Sequence, residues 1–373
     1  MKPPSSARRL LLPLVPLYRI ALALRELQLG SKLEPVRRLR FPVVSIGSLS
    51  AGGSGKTPLT IALAQALTRR GLNVDVLSRG YGRRSQAALC VNPNGAAEEF
   101  GDEPLLIASE SGVPVYVAAQ RYEAGLLAEA AAEQPSSEIE ASQTRTGEGA
   151  SSLEGTGFSP YISASKSPGA LAPEEIFSGS LHLLDDGFQH RQLRRDVDIL
   201  LLDSQDFQDH LLPAGNLREP LKAIHRATVL AIPAGDPELE AKLKASGWQG
   251  PIWRLHRRME VPQIAGPVAA FCGIARSEQF FEGLVAAGLH LASRIAFADH
   301  HHYKAHDLDC IQDAARSIGA TAIVTTEKDR VRLGKLGKSL SLKTARLRIE
   351  IENESAAVSW LEDRLAISPL RNS

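Results

Sequence analysis

Phe41-Pro-Val-Val-Ser-Ile46 and, a few residues further on, Gly52-Gly-Ser-Gly-Lys-Thr57 carry most of the information about the fold. An apolar strand, a glycine-rich loop and a helix that opens with Lys-Thr aim backbone N–H groups and a helix N-terminus at one polyphosphate. The full pattern begins with a glycine, and Ser50 stands at that position. The competing interpretation, a turn that binds nothing, leaves the Lys-Thr pair unexplained. The sequence therefore predicts a bound nucleoside triphosphate with magnesium.

The residues of this loop have distinct expected roles. The glycines let the backbone approach phosphate without a Cβ clash. Lys56 would reach the β and γ phosphates of ATP, and the Thr57 hydroxyl would bind Mg²⁺. The predicted nucleotide-binding residues are Gly52, Gly53, Ser54, Gly55, Lys56 and Thr57.

Downstream of the loop, helical and extended patterns alternate. Apolar residues recur at helical spacing from Leu59 until Gly71, and residues 73–77 are typical of a strand. The same rules predict helices at 101–109 and 121–132, and strands at 113–118, 197–202 and 228–232. We therefore expect an α/β fold of the phosphate-loop (Walker A) nucleoside triphosphate hydrolase type, built on a parallel sheet.

The C-terminal third repeats this alternation. Strands are predicted at 268–274, 291–297 and 322–325, and helices at 277–287, with Ser277 as the N-cap, and 308–318. A second, smaller α/β lobe would join the first near residues 250–266, and closure of the cleft between them would exclude water. The predicted division is an N-terminal membrane-associated helix at 1–40, a phosphate-loop core at 41–250 and a C-terminal α/β lobe at 251–373.

Composition narrows the remaining choices. Residues 131–178 are rich in Ser, Ala, Gly and Glu without a sustained apolar period, which predicts a low-complexity insertion with no catalytic role. The 43 basic and 42 acidic residues nearly balance, so no nucleic-acid partner is expected. The three cysteines lack paired spacing, so neither a disulfide framework nor a zinc site is expected, and a reducing compartment fits best.

The N-terminal segment is unusually basic. Residues 1–40 carry nine basic and two acidic side chains, a net charge of +7. Residues 10–24 are apolar except for Arg19, but two prolines interrupt them and they are short for a bilayer span. This predicts a helix that lies on an anionic membrane surface. A helix packed on its own domain and a secretory signal are the alternatives, although use of cytoplasmic ATP weighs against export.

A second apolar strand, starting at Leu181, ends in the carboxylates Asp185 and Asp186. In phosphate-loop enzymes an acid at such a strand end holds Mg²⁺ beside the loop hydroxyl. An Asp-Gly turn that merely closes the strand is the alternative. We expect one of the two carboxylates to hold the metal.

Seven short blocks follow one another along the chain. They are Gly52-Gly-Ser-Gly-Lys-Thr-Pro58, Arg79-Gly-Tyr-Gly-Arg83, Gly101-Asp-Glu-Pro104, Asp185-Asp-Gly-Phe-Gln-His190, Leu217-Arg-Glu-Pro220, Asp299-His-His-His-Tyr303 and Thr326-Glu-Lys-Asp329. Together they resemble the tetraacyldisaccharide 4′-kinase family, the lipid A 4′-kinases, in the order in which that family carries them. The resemblance runs from the N-terminal apolar helix to about Arg332, without the insertion. Ser48 departs from it, since Asn is expected there.

The resemblance implies the substrates and the location. One substrate is ATP with Mg²⁺, and the other is a tetraacylated glucosamine disaccharide 1-phosphate, phosphorylated at its 4′-hydroxyl in lipid A (lipopolysaccharide) biosynthesis. The enzyme would work as a peripheral protein at the cytoplasmic face of the bacterial inner membrane. A lipid with four acyl chains does not readily leave the bilayer, which gives the N-terminal helix a use. The sequence does not indicate the oligomeric state.

A sugar hydroxyl is a poor nucleophile, so a positioned base should accept its proton. The resemblance suggests that Asp102 and His300 act as a catalytic pair, in which the carboxylate orients the imidazole. It leaves open which of the two takes the proton first. The alternatives are a carboxylate at a helix start, a surface histidine, and a metal site formed by residues 300–302, although three consecutive side chains rarely chelate one ion.

The remaining candidates contact metal or acceptor. The predicted metal ligands, direct or through water, are Thr57, Asp185 or Asp186, and Glu219. The predicted substrate-binding residues are Tyr81, Arg83, Gln189, His190 and Arg218. Solvent-facing loop residues would give the same sequence pattern as this second group.

Three other classes of protein compete with a kinase. A phosphate-loop ATPase or GTPase switch, such as a metal-insertion chaperone, would favour metal-binding clusters or a guanine-reading loop, and residues 326–329 have the wrong spacing for that loop. A membrane-attached nucleotide-binding adaptor would not need the polar residues gathered above. A dinucleotide oxidoreductase is disfavoured because no Gly-x-Gly-x-x-Gly follows a strand.

Overall fold

The computed structural model describes residue 8 and residues 10–31, 35–133 and 179–367. The predicted insertion therefore lies outside the described residues from position 134 onward. A single mixed sheet of twelve strands runs through the described chain, in the order β10-β9-β11-β12-β8-β7-β6-β1-β5-β2-β4-β3. The strands are β1 Val43–Ser48, β2 Asn73–Ser78, β3 Leu89–Cys90, β4 Val115–Val117, β5 Ser180–Asp185, β6 Val197–Leu201, β7 Val229–Pro233, β8 Ile252–Glu260, β9 Pro267–Cys272, β10 His290–Ala296, β11 Ala322–Thr326 and β12 Leu342–Ile351.

Helices cover both sides of this sheet, as the predicted α/β class requires. They are α1 Val15–Gly30, α2 Lys56–Arg69, α3 Ala97–Phe100, α4 Asp102–Ser111, α5 Arg121–Ala132, α6 Pro237–Ala245, α7 Ser277–Ala286, α8 Ala305–Ser317, α9 Glu327–Leu333 and α10 Glu354–Leu365. The bounds of α5 match the prediction. Ser277 was wrongly predicted as the N-cap of α7, because Arg276 occupies that position and makes no side-chain cap.

The first part of the sheet is parallel and buried. Strand β1 lies between β5 and β6 and pairs in parallel with both. All six of its residues are buried, as expected for a central strand with helices on both faces. Because these strands run in the same direction, the loop after β1 and the carboxylates after β5 emerge at one edge of the sheet.

The sheet continues across the predicted domain boundary. Strand β8 fills most of the segment expected to link the lobes, and it pairs in parallel with β7 and antiparallel with β12. Residues of β12 and α10, including Ile349 and Leu361, belong to the same core as Val44 and Leu59. The chain thus returns to the first core after building β9 to β11, whose apolar residues form separate clusters. The domain bounds themselves stay a prediction.

Helix α1 rests by one face on an apolar cluster that is separate from the first core. Val15, Tyr18 and Leu22 pack against the cluster that contains Leu49 and Phe188. On the opposite face the large apolar side chains are exposed, and they are Leu17, Ile20, Leu24 and Leu27. Among the described helices, none is both long and apolar enough to span a bilayer.

Candidate active site

A cavity of about 1170 Å³ opens where the carboxyl ends of β1, β2 and β5 face the loops of the C-terminal part. Its first wall carries the glycine-rich loop, residues 78–81 and the carboxylates after β5. Its second wall carries residues 257–259, 274–276 and 299–300 and the start of α9. Nearly all of the sequence blocks described above therefore meet around one space.

The glycine-rich loop connects β1 to α2 along the first wall. Gly52, Gly53 and Gly55 have φ angles of 74°, 63° and 95°, which other residues rarely adopt. A Cβ on Gly53 would lie 2.7 Å from Cγ of Arg276. Ser50, by contrast, is not among the described non-glycine residues with positive φ, so its position does not demand glycine.

Lys56 stands at the first helical position of α2 and lines the cavity. Its Nζ donates to Ser48 Oγ at 3.1 Å and to Ser54 Oγ at 3.2 Å, and it lies 3.6 Å from Asp186 Oδ1. Ser48 thus supplies an acceptor for the lysine where the family is expected to have Asn. These contacts hold the ammonium group at the mouth of the loop.

Asp185 and Asp186 differ sharply in their surroundings. Burial and the charges of Glu103 and Asp186 raise the pKa of Asp185 to about 7, against the opposing effect of nearby lysines. Burial also acts to raise the pKa of Asp186, but the charges of Lys56 and Arg218 outweigh it and lower that pKa. Arg218 Nη1 donates to Asp186 Oδ2 at 2.8 Å. The backbone of Asp186 also has the left-handed conformation, with φ of 49°.

These carboxylates fit a magnesium ion. Asp185 is fully buried among like charges, so a divalent cation would stabilise its ionised form. Thr57 is buried on the same wall and offers a hydroxyl. In the described chain no three His, Cys, Asp or Glu side chains are grouped to hold a metal, so a hydroxyl, the carboxylates, water and phosphate would have to share the coordination.

Glu219, the third predicted acidic ligand, lies elsewhere. Its carboxylate is 2.7 Å from Arg226 Nη1 and is largely buried. It is not among the described residues that line the cavity. The structure therefore brings Thr57, Asp185 and Asp186 together and leaves Glu219 outside the group.

Asp102 and His300 come from the two sides of the cavity and meet beside it, where His300 lines the cavity and Asp102 is buried behind it. Asp102 begins α4 and is buried, and its Oδ2 lies 3.5 Å from His300 Nδ1. Burial acts to raise the pKa of Asp102, but the hydrogen bond with His300 and the charges of Arg332 and Lys328 hold it well below its usual range. The same hydrogen bond raises the pKa of His300, partly offset by burial. His300 is left-handed, with φ of 57°, and lines the cavity.

Two basic residues of α9, Lys328 and Arg332, complete this cluster. Neither was predicted from the sequence as a site residue. Arg332 Nε donates to Asp102 Oδ2 at 2.7 Å, and its Nη2 lies 3.2 Å from His300 Nδ1. Lys328 Nζ donates to Glu103 at 2.5 Å. Glu103 and Lys328 stand inside two of the blocks quoted above, and those blocks were the only sequence signal for them.

The loop that carries His300 is held by a buried carboxylate, Asp329. It accepts hydrogen bonds from Gly273 N at 3.1 Å, Tyr303 Oη at 2.9 Å and Thr326 Oγ1 at 2.6 Å. These contacts join the end of β9, the loop 299–303 and the start of α9. His300 and Arg332 are thereby fixed relative to one another.

Comparison with known proteins agrees with this geometry. A family model described as "Tetraacyldisaccharide-1-P 4'-kinase" matches residues 7–366. The chain belongs to this family. It is 38% identical over 358 residues to the tetraacyldisaccharide 4'-kinase of Koribacter versatilis, covering 93% of this chain and 96% of the relative. The corresponding kinase of Syntrophus aciditrophicus is 33% identical over 369 residues, with 90% and 86% covered.

A solved structure of the same family is also similar. It is an LpxK from Aquifex aeolicus in complex with ATP, with 28% identity and a TM-score of 0.66, and the match covers 96% of this chain and 99% of that one. The resemblance seen in the sequence, the α/β class and the assignment to ATP-dependent kinases are thus confirmed. The switch-protein alternative is not favoured.

The predicted substrate-binding residues fall into two groups in this kinase. Tyr81, Gln189, His190 and Arg218 line the cavity. The Tyr81 ring lies 5.5 Å from that of His300, and Gln189 Nε2 donates to Ser48 O at 3.0 Å. Arg83 instead donates to Ala87 O at 2.8 Å and is not among the described lining residues.

Two further arginines of the second wall reach the glycine-rich loop of the kinase. Arg257 Nη2 donates to Ser54 O at 2.7 Å. Arg276 Nη1 lies 2.9 Å from Asp203 Oδ2, and its side chain passes over Gly53. No local motif surrounds either residue, so the sequence offered no signal for them.

Proposed function

We propose that this chain transfers the γ-phosphate of ATP to the 4′-hydroxyl of a tetraacyldisaccharide 1-phosphate in lipid A biosynthesis. The observation that carries the proposal is the position of His300, which faces the glycine-rich loop across one cavity and is backed by a buried, ionised Asp102. A phosphate donor site and a base for an alcohol are thus combined in one space. Family membership supplies the substrate class.

His300 is the residue that takes the proton of the hydroxyl. It lines the cavity, whereas Asp102 is buried behind it, and the low pKa of Asp102 makes that carboxylate a weak base. The ionised Asp102 carboxylate can only accept, so the tautomer with a proton on Nδ1 is the one that bonds to Asp102. That tautomer leaves Nε2 free to accept. Asp102 then stabilises the imidazolium that forms.

Lys56 and the loop N–H groups bind the β and γ phosphates. Arg257 and Arg276 bring two further positive charges to the same loop from the opposite wall. Thr57 with Asp185 and Asp186 would hold Mg²⁺, which neutralises phosphate charge when bound. Tyr81, Gln189 and His190 line the same cavity and would contact the acceptor. Arg83 lies outside the cavity lining and is assigned no contact.

The test is a transfer assay with γ-labelled ATP and detergent-dispersed tetraacyldisaccharide 1-phosphate. We expect labelled bisphosphorylated lipid to form at a rate proportional to enzyme concentration, and Lys56→Ala to lower that rate about a thousandfold. Label released only as inorganic phosphate would contradict a kinase and support an ATPase. A lipid product that also forms without enzyme would overturn the assignment.

The kinase works as a peripheral protein at the anionic, cytoplasmic surface of the inner membrane. Helix α1 exposes Leu17, Ile20, Leu24 and Leu27 in one stripe beside the cavity, and the surrounding segment is strongly basic. Apolar side chains can enter the interface while basic ones meet anionic head groups. The lipid substrate would then be reached without leaving the bilayer.

Vesicle sedimentation tests this location. Replacing all four stripe residues by Ser should lower the partition coefficient on anionic vesicles roughly a hundredfold or more, because burial of each large apolar side chain is worth about 1.5–3 kcal/mol. The matched control replaces Leu126 and Val285, which are exposed elsewhere, by Ser. Equal binding by the stripe variant and the control would contradict the membrane role.

A further inference from the structure

A second pair of carboxylates lies on the other side of the glycine-rich loop from those that follow β5. Strand β1 lies between β5 and β6, and Ser48 at its end is level with Leu201 at the end of β6. The turn after β6, residues 203–206, therefore leaves the sheet beside the loop. It carries Asp203 and Asp206, which none of the seven sequence blocks contains and which are not among the described residues that line the cavity.

Hydrogen bonds within this acidic turn, residues 203–206, fix both carboxylates. Asp206 N donates to Asp203 O at 3.1 Å, and Asp203 N donates to Asp206 Oδ2 at 3.0 Å. Asp203 Oδ1 accepts from Gln205 N at 2.9 Å. Asp206 is only 3% exposed, so the turn is anchored in the protein at this residue. The remaining carboxylate oxygen of Asp203, Oδ2, is thereby held in a fixed direction.

That oxygen binds an arginine of the opposite wall. Arg276 Nη1 lies 2.9 Å from Asp203 Oδ2, and the two side chains are largely buried, with 20% and 13% exposed. Arg276 makes no side-chain cap at the start of α7, and its side chain passes over Gly53, where an added Cβ would lie 2.7 Å from Cγ. Gly53 stands three residues before Lys56. The guanidinium is therefore close to the place where the β and γ phosphates are expected.

The acidic turn also accounts for the serine at the first position of the glycine-rich pattern. Ser50 is 2% exposed, so its hydroxyl needs a polar group nearby. Burial and the charge of Asp203 raise the pKa of Asp206 to about 6, while the N–H of Asp203 and the Ser50 hydroxyl act in the opposite direction. Asp206 thus faces both Asp203 and the beginning of the loop.

We propose that Asp203 and Asp206 are positioning residues for ATP: Asp203 holds Arg276 over the glycine-rich loop before the nucleotide binds, and Asp206 holds Asp203. This inference rests on the proposed function. A guanidinium has five N–H donors, so Arg276 can keep its contact with Asp203 and still donate to a phosphate oxygen. An arginine that is already fixed loses little side-chain entropy when phosphate binds. Arg276 contacts the nucleotide, and the two carboxylates act through it.

A carboxylate that merely stood beside the loop would have the opposite effect on ATP. Its negative charge would repel the triphosphate, so its removal should tighten ATP binding. If Asp203 positions Arg276, its removal should weaken ATP binding even though a negative charge is lost. The two roles therefore predict changes of opposite sign in the dissociation constant for ATP.

The experiment titrates ATP calorimetrically into the full chain without acceptor lipid, for Asp203→Asn, Arg276→Gln and the double variant. We expect each single substitution to raise the Kd for ATP roughly threefold, and the double variant to show about the same rise rather than the product of the two. The KM for ATP should follow the Kd, and kcat at saturating ATP should stay unchanged. The control is Glu238→Gln, an exposed acid on α6, which should leave the Kd unchanged.

Two variants test the supporting residue. Asp206→Asn keeps an oxygen that can accept from Asp203 N and should bind ATP like the wild type, whereas Asp206→Ala should bind it as weakly as Asp203→Asn. Tighter ATP binding by Asp203→Asn would overturn the proposal, as would a loss in the double variant equal to the product of the single losses. A lower Tm with an unchanged Kd would reduce the turn to a structural role. Because calorimetry needs no transfer, the expected coupling without any lipid product would refute the kinase reaction alone.

Discussion

The two walls of the cavity differ in the chemical groups that they carry. The first wall is mainly backbone and short-range motif: a glycine-rich loop, then carboxylates at the end of a neighbouring strand. The second wall carries long basic side chains and one histidine, which lie on β8, on loops and on a short helix, together with apolar residues such as Phe280 of α7. Besides the Asp102–His300 pair, four contacts join the two sides of the cavity, and they are Arg332 to Asp102 at 2.7 Å, Lys328 to Glu103 at 2.5 Å, Arg276 to Asp203 at 2.9 Å and Arg257 to Ser54 O at 2.7 Å.

In all four contacts the oxygen belongs to the first wall and the cation to the second. The difference teaches that the first wall supplies the site for phosphate, whereas the second wall supplies charge and the base that make transfer possible. Phosphate groups are charged whereas the Ser54 carbonyl oxygen is neutral, so bound ATP would compete for Arg257. Substitutions in the first wall should therefore weaken ATP binding, whereas substitutions in the second wall should mainly lower turnover.

The largest expected effects come from substitutions of Lys56 and His300, one in each wall. Lys56→Ala should lower turnover about a thousandfold and weaken ATP binding, because it removes the charge at the β and γ phosphates. His300→Ala should lower turnover roughly a hundredfold or more but leave ATP binding intact. Initial rates and calorimetric titration with ATP measure both. Loss of ATP binding in His300→Ala would contradict the claim that the two walls have different roles.

The pH dependence of the rate tests the coupling between Asp102 and His300. His300 must be neutral to accept a proton, so kcat/KM should rise as pH increases through its pKa. Asp102 raises that pKa. In Asp102→Asn the pKa of His300 falls, so the acidic limb should move to lower pH while the plateau drops. Rates between about pH 5 and 9 measure this. The control is Asp313→Asn, an exposed acid on α8; an unmoved limb in Asp102→Asn would contradict the coupling.

A smaller effect is expected from the residue that supports the pair. Arg332→Gln should lower kcat roughly tenfold and leave the KM for ATP unchanged, because Asp102 loses a donor that helps to orient it but keeps its contact with His300. It should also lower Tm, since Asp102 and Asp329 lose a buried cation. The matched control is Arg330→Gln, two residues earlier on the opposite, exposed face of α9. A rise in KM for ATP instead would place Arg332 at the nucleotide.

The smallest effect is expected at the Arg276–Asp203 contact. Arg276→Gln should raise the KM for ATP only a few-fold, because Lys56 and the loop N–H groups remain. Steady-state kinetics at varied ATP measure it, with exposed Arg294→Gln on β10 as the control. A loss of turnover as large as that of His300→Ala would mean that the second wall binds phosphate as strongly as the first.

The sequence predicted the two walls unequally, and for a physical reason. The strand-loop-helix at residues 43–69 and the helix at 121–132 are local patterns, so both were found. The pairing of β8 with β12 joins residues about ninety positions apart, and no local pattern encodes it. Arg257 contacts the glycine-rich loop only because the fold brings distant segments together, and the same holds for Arg276. Glu219 pairs with Arg226 instead of lining the cavity. Residue type and spacing predict none of these contacts.

The most direct measurement is a double-mutant cycle on Asp102 and His300, the pair that joins the walls. If the carboxylate acts only through the imidazole, Asp102→Asn should cost little further turnover once His300 has been replaced by Ala. Turnover of the double variant, with ATP binding confirmed, should then be close to that of His300→Ala alone. Independent, multiplying losses from the two substitutions would contradict the account.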